Sequence, residues 1–599
     1  MLGGRGFIDG LHFVTPKDKI VRYRLKTGAE NARRLKDRNH NDGDSRYGSR
    51  NSAEEVGERS GGRAGEPFSG KGLSKAADMA KVSAKGSFHL LWGLVISTVI
   101  SSLGTIFIAR LLGSDLYGLY GVVLTAPTLI AIFRDWGVNS AMVRCAAQYR
   151  AEGREDEVRS IFISGLLFEI ALGLALSALS FGLSGFIAGN IFHRPEIAPL
   201  IQIASLSILM GGLVNAATAA FVGVEKMQHN SVMLIAQSII RTGTMIALVI
   251  LGFSTLGATI GYTVGIATGG IVGFLLMWSI YRTLPKPSSA KLEIKAYTRA
   301  MFTYGLPLSL SAIIGGFLGQ FYAFLLPIFY VTDNIAIGNY GIAVTFVVLI
   351  TFFATPITTM LFPAFSKLDP QKDKETLKNV FQFSVKYASL FVVPTAAIVM
   401  SLSRPAVQTL FGNSYNSAPL FLALLSIAYL YSAFGNLSTG NFINSQGKTT
   451  FQLKLAVLTA AIGFPMGYLL IMNFGVLGLI ATSLTSGIPS LIVSLAWIKK
   501  NYGLTVDWRS SARLLLSSAI AAGLTYLLVS ELKFSSWIQL ITGVVFFLVV
   551  FAGAALLTRT LDRSDVANLR GMVGGLGPLS GILNRMLNFI EKLMTTLRL

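Results

Sequence analysis

From Phe88 to Thr558 the chain is a succession of apolar runs, each about 20 residues long, separated by short polar connections. They lie near 88–109, 118–140, 160–182, 199–222, 231–251, 256–281, 302–330, 336–360, 384–403, 419–438, 454–473, 475–498, 512–530 and 535–558. A helix of about 20 residues crosses the ~30 Å hydrocarbon layer of a bilayer. The pattern therefore predicts an all-α polytopic membrane protein with about fourteen transmembrane helices. Before it, residues 1–87 are rich in Arg, Lys, Gly, Ser, Asn and Asp and have no apolar period, which predicts a disordered basic cytoplasmic tail. The tail has no apolar core of a signal peptide. Its clustered bases suit an anionic leaflet as well as plain solvation, and Met79 is an alternative start of translation. After it, residues 561–599 are read as a cytoplasmic amphipathic C-terminal segment. Within that segment, 578–598 spaces Leu, Ile, Met and Phe among Asn584, Arg585, Glu591 and Lys592, as in a helix lying on a membrane surface.

Composition agrees with lipid as the solvent. Apolar residues make up 52% of the chain, charged residues only 14%, and mean hydropathy is +0.59. The net charge of +21 raises the question of nucleic acid, but the bases sit in the N-terminal tail and in alternate loops. Arg144, Arg150, Arg154 and Arg159 follow the second run, and Lys286, Lys291, Lys295 and Arg299 follow the sixth, whereas Arg110, Arg194, Arg404 and Lys533 fall in the intervening loops. The positive-inside rule then places both termini in the cytoplasm and leaves no role for nucleic acid. One cysteine, Cys145, excludes an internal disulfide, and the five histidines show no zinc spacing. No metal or other cofactor is expected.

Two parts of the chain resemble each other at an offset of about 221 residues. Leu112–Gly121 (LGSDLYGLYG) matches Thr332–Gly341 (TDNIAIGNYG), with Tyr120-Gly121 on Tyr340-Gly341. Gly223–Leu234 aligns with Asn444–Leu455, placing Lys226 on Lys448, and Phe253 and Gly257 match Phe474 and Gly478. Each repeat holds six helices, an even number, so the repeats run parallel and are related by an axis along the membrane normal. Two such lobes enclose a central cavity suited to alternating access.

The opening LGSDLYGLYG, followed by a helix and then by Arg134–Arg144 (RDWGVNSAMVR), resembles the start of polysaccharide-transport flippases. These belong to the multidrug/oligosaccharidyl-lipid/polysaccharide exporter superfamily and include the O-antigen flippases. The resemblance rests on Asp135-Trp136-Gly137 and on Ala141 through Arg144, and it covers roughly residues 88–558. It implies a V-shaped fold with helices 1–6 in an N-lobe (88–282), helices 7–12 in a C-lobe (283–500) and helices 13–14 appended (501–560). It also implies a lipid-linked oligosaccharide as substrate. The long N-terminal tail departs from the family pattern.

Charges at bilayer depth cost on the order of 3 kcal/mol each, so they face a cavity or a partner. Arg241, at the centre of helix five, is a candidate for holding a lipid pyrophosphate through two parallel hydrogen bonds. The alternative is a structural ion pair with Glu169, near the middle of helix three. Arg134 at the inner end of helix two, and Gln320 and Tyr322 on helix seven, are further candidates for the lumen. Arg134 is equally compatible with snorkelling to head groups. Glu169 and Asp135 are candidates for coupling to a proton or sodium ion. Helix seven, with Pro307, Gly315, Gly316, Gly319 and Pro327, reads as long and broken, a candidate gate or a static kink.

The reading that unites these features is a flippase for a polyprenyl phosphate- or pyrophosphate-linked glycan in the plasma membrane. An ion-coupled drug or metabolite exporter of the same superfamily is the alternative. A membrane glycosyltransferase would need a carboxylate-bearing outer loop, and the loop at 183–198 offers only His193 and Glu196. A Walker A loop is absent, which excludes ATP hydrolysis by that motif.

Overall fold

The computed structural model of the chain describes residues 70–285, 294–330, 333–366, 368–370 and 372–560, and beyond them 565, 566, 570, 581, 584, 585, 588 and 591. The basic tail up to residue 69 and most of the amphipathic C-terminal segment lie outside the described residues. The chain divides into two units, Met1–Leu73 and Ser74–Leu599, and every membrane crossing belongs to the second.

Among the described residues the elements are helices throughout. The first half contains α1 (Gly70–Ala131), α2 (Val138–Ala151), α3 (Glu155–Phe186), α4 (Ala198–Gly223), α5 (Met227–Leu248) and α6 (Ser254–Thr283). The second contains α7 (Ile294–Phe329), α8 (Asn334–Ser366), α9 (Lys374–Ser401), α10 (Ser403–Phe411), α11 (Ala418–Leu430), α12 (Asn436–Ser445), α13 (Thr449–Thr485) and α14 (Ile488–Tyr502). Then come α15 (Trp508–Glu531) and α16 (Ser536–Leu557), which pack on each other and on α9 and α10. Among the described residues nine stretches are long and apolar enough to cross a bilayer. Three of them, Trp92–Arg134, Met227–Thr283 and Thr449–Tyr502, are long enough for two crossings, and each is interrupted at glycine: Gly113, Gly252 and Gly475. These glycines have φ of 71°, 93° and 57°, a region that L side chains avoid. With the bent pair Ala418–Phe434 and Asn436–Ser445 and the shorter Asn334–Val348, each of the fourteen expected crossings coincides with a helix.

The breaks fall at glycines with positive φ, not at the prolines of the seventh crossing. The sequence reading expected that helix to be broken, but α7 runs uninterrupted from Ile294 to Phe329. A proline removes one backbone hydrogen bond, and the helical pattern continues on both sides of that loss.

The internal repeat is visible in the backbone. Glu225 and Gly447 both have positive φ, 59° and 68°, at the ends of α4 and α12. In both turns the next amide reaches back five residues, Lys226 to the Phe221 carbonyl (2.8 Å) and Lys448 to the Ile443 carbonyl (3.1 Å). Lys226 therefore does meet Lys448, but in a register one residue longer than the offset that set the ends of the aligned segments. After α5 and within α13 the same kink recurs, Ser254 at φ 45°, ψ −127° and Gly475 at φ 57°, ψ −129°.

Helices meet through small residues, as expected where lipid gives no hydrophobic drive to association. On α6, Gly257, Gly261, Gly265, Gly269 and Gly273 form a ladder at four-residue spacing against Leu248, Met245, Arg241, Gln237 and Met233. A Cβ at Gly261 would fall 2.6 Å from the Met245 amide nitrogen, rigid backbone that has no rotamer to yield. Gly261→Ala should therefore destabilise the protein by about 1–3 kcal/mol. Gly243→Ala, on α5 with nothing within 4 Å of the new atom, should stabilise it by roughly 0.5–1 kcal/mol. Thermal melting of the two purified variants against the parent reads both effects, and equal melting would contradict the ladder.

Candidate functional site

A buried polar cluster lies inside the N-lobe. α1 ends in a short 3-10 turn, Ile132–Arg134, and the chain breaks over Asp135-Trp136-Gly137 before α2 begins. The break is built from sequence. The Asp135 carboxylate accepts the Gly137 amide (2.8 Å), the Trp136 indole donates to the Phe133 carbonyl (2.7 Å), and Gly137 takes φ 82°. This turn aims Arg134 and Asn139 at α3. Glu169 on α3 is fully buried, with its Oε2 3.8 Å from Arg134 Nε and its Oε1 accepting from Asn139 Nδ2 at 2.6 Å.

Room for the guanidinium comes from α4. Arg134 Nη1 donates to the Ile208 carbonyl at 3.0 Å, and a Cβ on Gly211 would fall 2.5 Å from that nitrogen. A Cβ on Gly212 would lie 3.1 Å from Glu169 Oε2. Arg134 Nε, Glu169 Oε2 and Asn139 Oδ1 are buried without a hydrogen-bond partner, so the cluster holds donor and acceptor capacity in reserve.

Arg241 stands apart from this cluster. The ion pair with Glu169 weighed from sequence is not formed, because Glu169 pairs with Arg134. The Arg241 guanidinium sits over the Tyr262 ring of α6 at 5.1 Å, and its backbone closes on Gly265. The two cations therefore rest on separate partners, Arg241 on the Tyr262 ring and Arg134 on Glu169. Arg134, Arg241 and Tyr262 are each only partly buried.

The other expected residues fall in different settings. Gln320 is half-buried and accepts from the Thr128 hydroxyl across the lobes at 3.3 Å. Tyr322 is 4% exposed, with its ring packed against Gly463 and Gly467 of α13 in an apolar core to which both lobes contribute. Asp135 is engaged in its own turn. Gly315 and Gly316 are exposed on α7, Pro327 is buried there, and the side chain of Pro307 lies outside the described residues. Sequence reasoning missed Asn139, Tyr262 and the Gly211-Gly212 seat. Asp-x-Gly is a turn signal that could have revealed the break delivering Asn139.

The lobes touch at both ends of the bundle. At one end Gly137 and Gly305 of α7 meet backbone to backbone, flanked by Trp136 against Phe302 (6.3 Å) and by the Tyr297 hydroxyl on Glu157 (3.3 Å). At the other, the start of the second crossing meets α8. Among the described residues no group of His, Cys, Asp and Glu is arranged to hold a metal ion.

A family described as "Polysaccharide biosynthesis protein" matches residues 83–369. The chain is 20% identical to the probable low-salt glycan biosynthesis flippase Agl15 of Haloferax volcanii, over 82% of this chain and 99% of that protein. It is 24% identical to the lipopolysaccharide biosynthesis protein WzxC of Escherichia coli, over 63% of this chain and 77% of that protein. In structure it resembles the lipid II flippase MurJ in an inward closed conformation, with a TM-score of 0.60, 17% identity, and coverage of 78% of this chain and 98% of that one.

Proposed function

The chain belongs to the polysaccharide biosynthesis protein family, and from that premise we propose that it flips a glycan linked to polyprenyl phosphate or pyrophosphate across the plasma membrane by alternating access. The observation that carries the reading is the pair of partly buried cations inside the N-lobe, Arg134 beside Glu169 and Arg241 over the Tyr262 ring. A guanidinium meets phosphate oxygens through two parallel hydrogen bonds, and a low-dielectric setting strengthens the attraction.

The protein acts as a transporter, not an enzyme, with 88–282 as the N-lobe, 283–500 as the C-lobe, 501–560 as two appended crossings and 561–599 as a cytoplasmic segment. Both termini face the cytoplasm, since α2 with its turn into α3, and the connection from α6 into the start of α7, carry the basic residues. Gln320 lines the path between the lobes, and the glycine face of α7 gives way as they move. Tyr322 joins the lumen only where the packing of α7 on α13 opens. Of the two carboxylates read as ion-coupling sites, Glu169 takes up a proton or sodium ion when substrate draws Arg134 away, a reading supported by its pairing with Arg134. Asp135 serves that role only if its turn opens.

Geranylgeranyl diphosphate and geranylgeraniol test the site directly. The diphosphate should raise the melting temperature of the purified chain, the alcohol should not, and Arg241→Ala should abolish the difference. Equal stabilisation by both lipids would remove the anion from the account.

A further inference from the structure

We propose that the contact between the second crossing and α8 is a pseudo-symmetric latch that holds one end of the transport path shut, its strength set by Gly118 and Gly338. The observation is reciprocity. A Cβ on Gly118 would collide with the Asn334 carbonyl and fall 2.9 Å from the Gly338 amide nitrogen. A Cβ on Gly338 would collide with the Ser114 carbonyl and fall 3.0 Å from the Gly118 amide nitrogen. One turn further on, Gly341 faces the Tyr117 ring at 3.3 Å, and Gly121 faces the Ile337 methyl at 3.7 Å. Ser114, Tyr117, Gly118 and Gly121 map onto Asn334, Ile337, Gly338 and Gly341 at one constant offset, so each repeat presents the same surface to the other. This is the geometry of an isologous interface, built inside one chain.

Polar groups close the same end. Asn334 donates to Asp115 at 3.0 Å and accepts from Arg194, whose burial lowers its pKa from the usual guanidinium value, opposed by the carboxylates of Glu196 and Asp115. Arg110 donates to the Leu410 carbonyl (2.7 Å), and the Tyr415 hydroxyl donates to the Ala109 carbonyl (2.7 Å). The opposite closure, Gly137 on Gly305, joins residues that are not repeat equivalents, so the two ends open by different means.

A glycine-on-glycine contact admits no side chain, and one added methyl must part the helices. Gly118→Ala and Gly338→Ala should each shift the population towards the state open at this end. Because the gap made by one Cβ also accommodates the other, the double variant should add little to either single one. The reporter is Thr128→Cys, at mid-depth between the lobes, in a Cys145→Ser background that removes the sole native thiol. Labelling with an impermeant maleimide from either side, in intact cells and inverted vesicles, should rise on one side only, roughly tenfold for each single variant. Gly182→Ala, on α3 with nothing within 4 Å, should leave labelling unchanged. Asn334→Ala, which loosens the latch without adding bulk, should raise labelling on that same side and covers the case in which the glycine variants fail to fold. Labelling that stays at the parent level in the folded variants, or singles whose effects simply multiply in the double, would overturn the latch. The readout needs no glycan, so it stands or falls apart from the substrate assignment.

Discussion

Glu169→Ala should destabilise the protein by about 3 kcal/mol, the cost of leaving one partner of a buried ion pair without the other. Glu169 is fully buried while the Arg134 side chain is 15% exposed, so the stranded guanidinium regains some water and the cost stays at the lower end of the usual range. Asn139 loses its acceptor as well. Arg134→Ala strands the carboxylate in a drier place and should cost at least as much. The informative variant is the double one, Glu169→Gln with Arg134→Gln, which removes both charges and keeps hydrogen-bonding groups in the space. Its melting temperature should recover most of the loss. Its transport should not recover if Arg134 contacts the substrate. A double variant that is stable and transports normally would assign the pair to architecture alone.

The second large effect concerns Arg241. Arg241→Ala should weaken apparent substrate affinity by roughly 100-fold, the loss of about 3 kcal/mol expected when one member of a hydrogen-bonded charge pair is truncated in a desolvated site. Arg241→Lys should recover part of this, about tenfold, because an ammonium restores the charge but not the planar fork. Stability should change little by comparison, since the Arg241 contact with Tyr262 is a cation over a ring and not a closed salt bridge. Initial rates of translocation in reconstituted vesicles, measured against substrate density, separate the two variants. A lysine variant as inactive as the alanine variant would mean that bidentate geometry, not charge, governs binding. An alanine variant with normal rates would remove Arg241 from the site.

The two residues show how far sequence reached. The crossings were legible because a run of about 20 apolar residues is itself a length measurement against the bilayer. The paired lobes were legible because Tyr120-Gly121 recurs as Tyr340-Gly341, and Phe253 and Gly257 beside the kink recur as Phe474 and Gly478. Position along the chain was legible too, so Arg241 and Glu169 stood out as charges away from the ends of their helices. What sequence did not contain was the angular position of each helix about its axis. That rotation sends Glu169 towards Arg134 and Arg241 towards Tyr262, and it is set by where glycines let helices approach. The ladder from Gly257 to Gly273 was readable as a four-residue spacing and would have placed Arg241 opposite Gly265. The continuous course of α7 was missed for another reason, since proline marks a weakened bond and not a break.

The central claim, movement of a lipid-linked glycan between leaflets, is tested most directly by its sidedness in cells. The protein is depleted, and sealed, oriented vesicles are probed with an impermeant glycosidase, with the parent chain or Arg241→Ala supplied in parallel. The account predicts that lipid-linked glycan accumulates on the cytoplasmic leaflet, that the parent restores its access to the outer face, and that Arg241→Ala does not. Unchanged sidedness on depletion, in a strain with no second flippase, would contradict it.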